Sequence, residues 1–272
     1  MAGLFIMGLT YYLLASLAID LGYHRMLSHG AFKLPKWLSY SIITLGLPAG
    51  TPVQWAGNHR SHHAHTDKPG DPHSPVISGF WYAHVGWYLG TINPLICLLY
   101  CLAGPLRTIF DSFWRPRTNQ QYNALAKDIA KDPYYSWISK PTPYMVAMWL
   151  HVEITFGIAY LLAGLSGILT MWLLIAFVYN TCDAVDSIAH MYGDKLPYQK
   201  SEARNNPILS WITLGSAWHA NHHAFPKSAK HGFLKGQIDL AWMIIRLLEK
   251  ANISRDVSVC HPETSLKPIG AT

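Results

Sequence analysis

The sequence predicts an all-α fold: multi-pass transmembrane helices carrying a helical cap on the cytosolic side. Three observations predict it. Half of the 272 residues are hydrophobic and only 13% are charged, about half the charged share of an average soluble domain. Several apolar stretches reach the ~20 residues that an α-helix needs to cross a bilayer. Lys and Arg are absent before Arg25 and between Pro141 and Asp194, so positive charge is sorted along the chain as in membrane proteins. The 11 Trp and 15 Tyr suit aromatic belts at the two interfaces. A large soluble helical enzyme is the alternative that composition leaves.

Residues 1–272 read as one domain, with no internal repeat and no low-complexity tract. Residues 1–23 are apolar apart from Asp20. They lack a basic leader and a small-residue cleavage site, so they read as a retained span and not as a signal peptide. Residues 37–55 are weaker, broken by Pro48, Gly50 and Pro52. Residues 86–106 are apolar but carry Pro94, Gly104 and Pro105, which predicts a re-entrant or interfacial segment. A polar stretch runs from Arg107 to Lys140. Residues 144–164 and 168–191 are long apolar segments with a short connection, the pattern of an antiparallel helical hairpin. Residues 239–251 have amphipathic spacing.

The hairpin turn is uncharged while Lys140 and Lys195 flank its ends, which puts the turn outside and the flanks in the cytoplasm. Three full spans and an external N-terminus follow. The formal charge of +6 suits a basic face against anionic lipid or an acidic partner. No basic run is dense enough for nucleic acid. Cys97, Cys101, Cys182 and Cys260 form no CxxC pair and read as small buried residues.

The 15 histidines carry the chemistry. Three groups stand out: HRMLSH (His24, His29), HRSHH (His59, His62, His63) and HANHH (His219, His222, His223), with His190 ending a separate DSIAH. Positions i and i+3 or i+4 share a helix face, so each H-x-x-H-H triplet aims two or three imidazoles at a common point. Nine imidazoles exceed the three or four ligands that one zinc takes. Two metals sharing nine nitrogens receive four or five each, so the cap is expected to hold a di-metal site. Imidazole suits iron, copper, zinc and nickel, and ligand type leaves that choice open. His65 is expected to lie outside the ligand set, and His151 to be a satisfied core residue.

At these residues the chain resembles the membrane-bound fatty acid desaturases, in particular the stearoyl-CoA desaturase and bacterial acyl desaturase branch. The resemblance lies in GYHRMLSH, GNHRSHHAHTDKPGDPHSPVISGFWYAHVGW, DSIAHMYGDKLPY and WHANHHAFPKSAKHG, which span most of the chain in the family's order. It implies two Fe held by His24, His29, His59, His62, His63, His190, His219, His222 and His223, with zinc able to replace iron in purified protein. It implies O2 as co-substrate and a double bond introduced into a fatty acyl chain carried by CoA, acyl carrier protein or a lipid. Relatives usually have two spans before the first histidine box; here there is room for one. Asp186 stands where they carry an Asn that reaches iron through water, Ser216 where a Glu precedes the third box, and Gly30 where an Arg follows the first.

Asp183 and Asp186 are the candidate catalytic carboxylates, since ionisable groups near a membrane helix end are usually functional. Asp186 is expected to touch the metal directly or through one water. Asp20, Asp67 and Asp71 are further candidates to orient ligand imidazoles, although DKPGD also reads as an ordinary loop turn. Arg25 and Arg60 are placed to pair with these acids. The CHPE near the end is not a cytochrome b5 motif, so electrons are expected from a separate donor such as ferredoxin or cytochrome b5, steered by the basic face. The same chassis also serves an acetylenase, a hydroxylase or an oxidative decarboxylase. A metal transporter or sensor is the reading from another class; it requires ligands at mid-membrane.

Overall fold

The computed structural model describes residues 2–114, 124–197 and 199–260. Part of the polar stretch before Lys140 and most of CHPE lie outside the described residues. The described residues are helical or irregular, with isolated β-bridges such as Asp194 with Asn205 in place of strands.

Helix α1 (Ala2–Leu17) passes without a break into a π-helical segment, Ala18–Ser28, a candidate span of 27 residues. The i→i+5 winding carries His24 and, at the segment's C-cap, His29 onto one side. Residues 37–55 form no span. Helix α2 (Lys36–Leu45) ends at Gly46, a 3₁₀ turn takes Leu47–Ala49, and α3 (Pro52–His65) begins after Thr51, whose side chain accepts from Gln54 N. Pro48 keeps α2 from continuing because it removes a backbone donor. Pro52 instead opens α3, where a missing N–H costs nothing.

A short α4 (Pro75–Ser78) leads to the π-helical Tyr82–Gly86 and α5 (Trp87–Leu89). Helix α6 (Pro94–Leu102) follows at 89° to it. The apolar stretch 86–106 is therefore sharply broken, as its prolines and glycines predict, but at a different point. The chain turns at Gly90, with φ of 67°, and Asn93 caps α6, so Pro94 opens a helix and does not break one. Helix α7 (Pro105–Trp114) comes next. Two short helices, α8 (Lys127–Ala130) and α9 (Pro133–Ile138), precede the long apolar element α10 (Pro141–Ser187).

Helix α10 folds back on itself. Ala163 and Gly164 have non-helical dihedrals, with Gly164 at φ +58°, a conformation that only glycine adopts without penalty. Two contacts on α7 fix the reversal. The Trp149 indole donates to Ser112 Oγ (3.1 Å) and the Tyr179 hydroxyl bonds the Thr108 hydroxyl. On a straight helix residues 149 and 179 lie ~45 Å apart, whereas residues 108 and 112 of α7 are ~6 Å apart. Both arms therefore run antiparallel beside α7, as the short connection predicts. Gly167 lies against the Ala159 carbonyl so closely that a Cβ would sit 2.0 Å from its oxygen. The outer face of the hairpin is apolar and bare: Leu161 is 85% exposed and Leu173 62%, which suits lipid and not water. A 3₁₀ turn, Ile188–His190, extends the second arm.

The remaining chain caps the helix ends with α11 (Pro207–Ile212), α12 (His219–Ala224) and the amphipathic α13 (Leu240–Lys250), the last as its spacing predicts. One side chain ties cap to span. Arg25 is 0% exposed. Its guanidinium donates to Asp20 (2.9 and 3.2 Å), to Asp239 (3.0 Å twice) and to the Ala229 carbonyl (2.6 Å). Asp239 also accepts from Trp242 N at the start of α13 and from His231 N.

Truncating Arg25 leaves two buried carboxylates unpaired, at a cost of about 3–5 kcal/mol. Thermal unfolding of Arg25→Ala in detergent is expected to fall well below wild type, with the cap released first. An unchanged melting curve would show that the clamp contributes nothing.

Candidate metal centre

The nine histidines that the resemblance implies come together as two groups. His24, His29, His59, His63 and His222 form one; His62, His190, His219 and His223 form the other, with ligand atoms in each group within 4.8 Å of one another. Their Nε2 atoms face inward. In the first group His24 meets His222 at 2.9 Å, His29 meets His59 at 2.8 Å, and His63 meets His59 at 3.1 Å and His222 at 2.9 Å. In the second, His62 meets His223 at 3.2 Å, and His219 meets His190 and His223 at 3.0 Å each.

These spacings fit metal ions. Bonds of about 2.1 Å from metal to imidazole, meeting at right angles, set neighbouring nitrogens about 3.0 Å apart. Five or four converging Nε2 atoms cannot satisfy one another by hydrogen bonding, because each neutral ring has one proton to give. The donor set is all imidazole and fits iron, copper, zinc or nickel.

The triplets do not each serve one point, as the spacing alone predicts. His59 and His63 of α3 join the first group while His62 joins the second; His219 and His223 of α12 join the second while His222 joins the first. An α-helix turns about 100° per residue, so residues four apart diverge by only ~40° and the intervening residue points ~60–100° away. Each triplet thus reaches both groups, and the two helices do so in opposite sense.

Carboxylates hold the outer nitrogens. Asp20 Oδ1 lies 3.1 Å from His24 Nδ1, Asp71 Oδ1 is 2.9 Å from His62 Nδ1, and Asp67 Oδ1 is 3.4 Å from His190 Nδ1. The bonds to His24 and His62 place the Nδ1 proton and leave Nε2 as a lone pair aimed inward, while Asp67 stands at ion-pair distance from His190. Asp71 is itself fixed by Asp67 N (2.8 Å) and His73 N (3.1 Å). Asp67 accepts from Ser74 Oγ and, across the chain, from Glu202 N. The DKPGD loop is therefore a support for the ligands as well as a turn. Burial opposes the charge on Asp67, yet hydrogen bonds from His190, Glu202 N and Ser74 hold its carboxyl well below the usual range. Burial first, then neighbouring imidazoles, keeps His29, His59, His62, His219, His222 and His223 far below the ordinary histidine value. His63 is pushed down to about 3 by the same causes. These rings stay neutral, the form that binds metal.

The two candidate catalytic acids differ in their partners. Asp183 is bound by Arg107 (2.6 and 3.3 Å) and by the Tyr88 hydroxyl (3.0 Å). Arg107 lies over the rings of Tyr88, Tyr100 and Tyr179. Asp186 and Asp183 line a cavity of about 90 Å³ together with His24, His59 and His219, ligand candidates from both groups. Arg25 pairs with Asp20 as expected; Arg60 instead pairs with Asp128. His65 bonds the Ser61 carbonyl and His151 meets Tyr11, both outside the groups.

Two histidines escape spacing-based reading. His73 stacks on His62 at 4.4 Å and joins it and Asp71 in a third cluster; the His231 ring lies 4.6 Å from that of His222, tilted by 42°, and is grouped with Asp20 and His24. Neither belongs to an H-x-x-H-H pattern. The available signal was their position within 15 residues of a triplet, in DPHSP and KHG.

Comparison with known proteins agrees with this geometry. A family model described as fatty acid desaturase matches residues 1–233. The sn-1 stearoyl-lipid 9-desaturase of Anabaena variabilis is 30% identical over 259 residues, covering 92% of this chain and 82% of the relative. The sn-2 palmitoyl-lipid 9-desaturase of Nostoc sp. (strain 36) is 33% identical, with 93% and 80% covered. The Acyl-CoA C20 Delta5-desaturase of Anemone leveillei is 35% identical, with 88% and 68% covered. The chain belongs to the fatty acid desaturase family, oxidoreductases that act on acyl chains.

Proposed function

We propose that this protein is a di-iron, O2-dependent fatty acyl desaturase that introduces a double bond into an acyl chain. The observation that carries the reading is the pair of inward-facing imidazole groups, five and four, bordering one cavity. Iron held by His24, His29, His59, His63 and His222, and by His62, His190, His219 and His223, would supply the O2 reduction and C–H cleavage that no amino-acid side chain performs.

The chain's own residues do the rest. Asp20, Asp67 and Asp71 orient ligand rings through Nδ1. Asp186 lines the cavity with three ligand rings and is the carboxylate we assign to reach metal or its water, since Asp20 is engaged by Arg25 and His24, and Asp183 by Arg107 and Tyr88. Asp183 acts through Arg107, another residue of the cavity lining. Trp55, Ile19 and Val185 give that cavity the apolar surface an acyl chain needs. A separate one-electron carrier, ferredoxin or cytochrome b5, is the donor that a basic cytosolic face would attract. A metal transporter is disfavoured because the imidazole groups lie at helix ends and in the cap, not at mid-membrane.

In the membrane, residues 1–272 work as one unit of three spans: the first helix and the two arms of the hairpin. All histidine boxes then share the cytosolic face, and the bent pair Tyr82–Leu89 and Pro94–Leu102 enters and leaves on that side.

Three outcomes test this. Expressed in a host with its own ferredoxin, the wild type is expected to yield a new unsaturated fatty acid by mass spectrometry. His62→Ala should lower it by more than about tenfold, and Asp186→Ala should do likewise with the fold intact; a profile unchanged by His62→Ala rejects the site, and one unchanged by Asp186→Ala makes that residue a bystander. Freshly purified active protein is expected to hold about two irons per chain, as two imidazole groups require; full activity with one or fewer rejects the di-iron reading. Cysteines placed at Ser78 and Leu102, at the two outer ends of the bent pair, should both be labelled from the cytosolic side, and labelling of either only from outside makes the bent pair a crossing span.

A further inference from the structure

A second cavity, an open apolar groove, runs along the outside of the molecule between α1 and the second arm of the hairpin. Its walls are not separate from those of the metal-site cavity. On α1, Phe5, Leu9 and Tyr12 line the groove and Ser16 the inner cavity, followed there by Ile19 at the start of the π-helical segment. Their spacing of four, three, four and three residues keeps them on one helix face. On the facing arm, Leu174 and Phe177 line the groove, and Thr181 and Val185 continue the same face into the cavity. Ile212 and Thr213 do the same from α11 and the residue beyond it. Groove and cavity are thus two lengths of one trough, divided at the level of Tyr12. There the Tyr12 hydroxyl donates to the Ile212 carbonyl, and its ring packs beside Phe177.

We propose that this groove admits an acyl chain still esterified to a membrane lipid, with Tyr12 as the gate between the bilayer and the metal-site cavity. The proposal rests on the desaturase reading and names the substrate's carrier. Both elements that form the trough are candidate membrane spans, so the groove faces hydrocarbon and only an apolar chain lies there without cost. Trp211, 58% exposed, lines the groove next to Ile212. Its indole is a side chain of the kind that rests at the headgroup level. From Phe5 to Ile19 the helix wall rises about 21 Å, which leads from within the hydrocarbon to the ligand rings. A thioester arriving from water has no use for a mouth on this side. Tyr12 is half-buried and held by a single hydrogen bond, a latch that side-chain rotation releases.

Photoreactive lipid tests the route. The iron-loaded protein in nanodiscs is exposed to phosphatidylcholine carrying a diazirine in mid-chain, and in parallel to the same acyl chain as its CoA thioester, and cross-links are mapped by mass spectrometry. Phosphatidylcholine is expected to label both the groove and the cavity segments 16–19 and 181–185. Gly8→Phe, at a groove residue whose Cβ position is 3.4 Å from Leu174 Cδ2, should abolish cavity labelling while groove labelling persists. Thr170→Trp should plug the groove from the facing wall with the same result. Tyr12→Ala should raise cavity labelling. Cavity labelling by the CoA thioester but not by phosphatidylcholine overturns the proposal, as does phosphatidylcholine labelling that none of the three variants alters. Cross-linking needs no turnover, so its outcome is independent of whether any acyl donor is desaturated.

Discussion

Nine imidazole nitrogens can converge on two points only if four segments, far apart in sequence, are held in register by something other than the metal. That constraint organises the rest of the structure. The π-helical end of the first span supplies two rings, α3 three, the end of the hairpin one and α12 three. Packing alone would leave these free to slide past one another. Buried ionic and hydrogen-bonded ties remove that freedom. Arg25 joins the first span to Asp239 and the cap, Asp67 joins the loop after α3 to His190 and to Glu202 N, and Asp20 joins Arg25 directly to the ring of His24.

The crosswise use of α3 and α12 has an energetic consequence. Each helix contributes to both groups, two rings to one and one to the other. A shift of either helix therefore disturbs both groups at once, and the two form or fail together. Separate helices for each group would allow one half to persist when the other is lost. The aspartates extend this coupling outward, because a bond to Nδ1 fixes both the rotation of the ring and the position of its proton.

The cavity beside the groups combines an apolar surface with buried charge. Arg107 and Asp183 neutralise each other on its wall, and three tyrosine faces surround the guanidinium. A buried pair of this kind adds little net stability over apolar replacements, but it fixes the relation of α7 to the second arm of the hairpin with a directional contact. The breadth of the space beside the imidazole groups depends on that relation. Asp183 is thus held by a partner that lies 76 residues earlier in the chain.

Local pattern alone determined the helical class, the hairpin, the amphipathic α13, the breaks in residues 37–55 and 86–106, and the two histidine triplets. Each is written in nearest-neighbour terms: apolar runs, prolines, an uncharged turn and a repeated H-x-x-H-H. The full set of nine converging histidines was legible through the resemblance to a family. Only the tertiary structure decided which ring belongs to which group, because that depends on the direction from which the other helices approach. It decided that Asp67 and Asp71 serve the ligands and that Asp183 serves Arg107. It also brought His73 and His231 against ligand rings, and joined an outer groove to the inner cavity at Tyr12. These are relations between side chains distant in sequence, and no periodicity within one segment encodes them. The break in residues 86–106 lies between the two cases. Its composition foretold it, but its position at Gly90 followed from where Asn93 and Pro94 could begin a new helix.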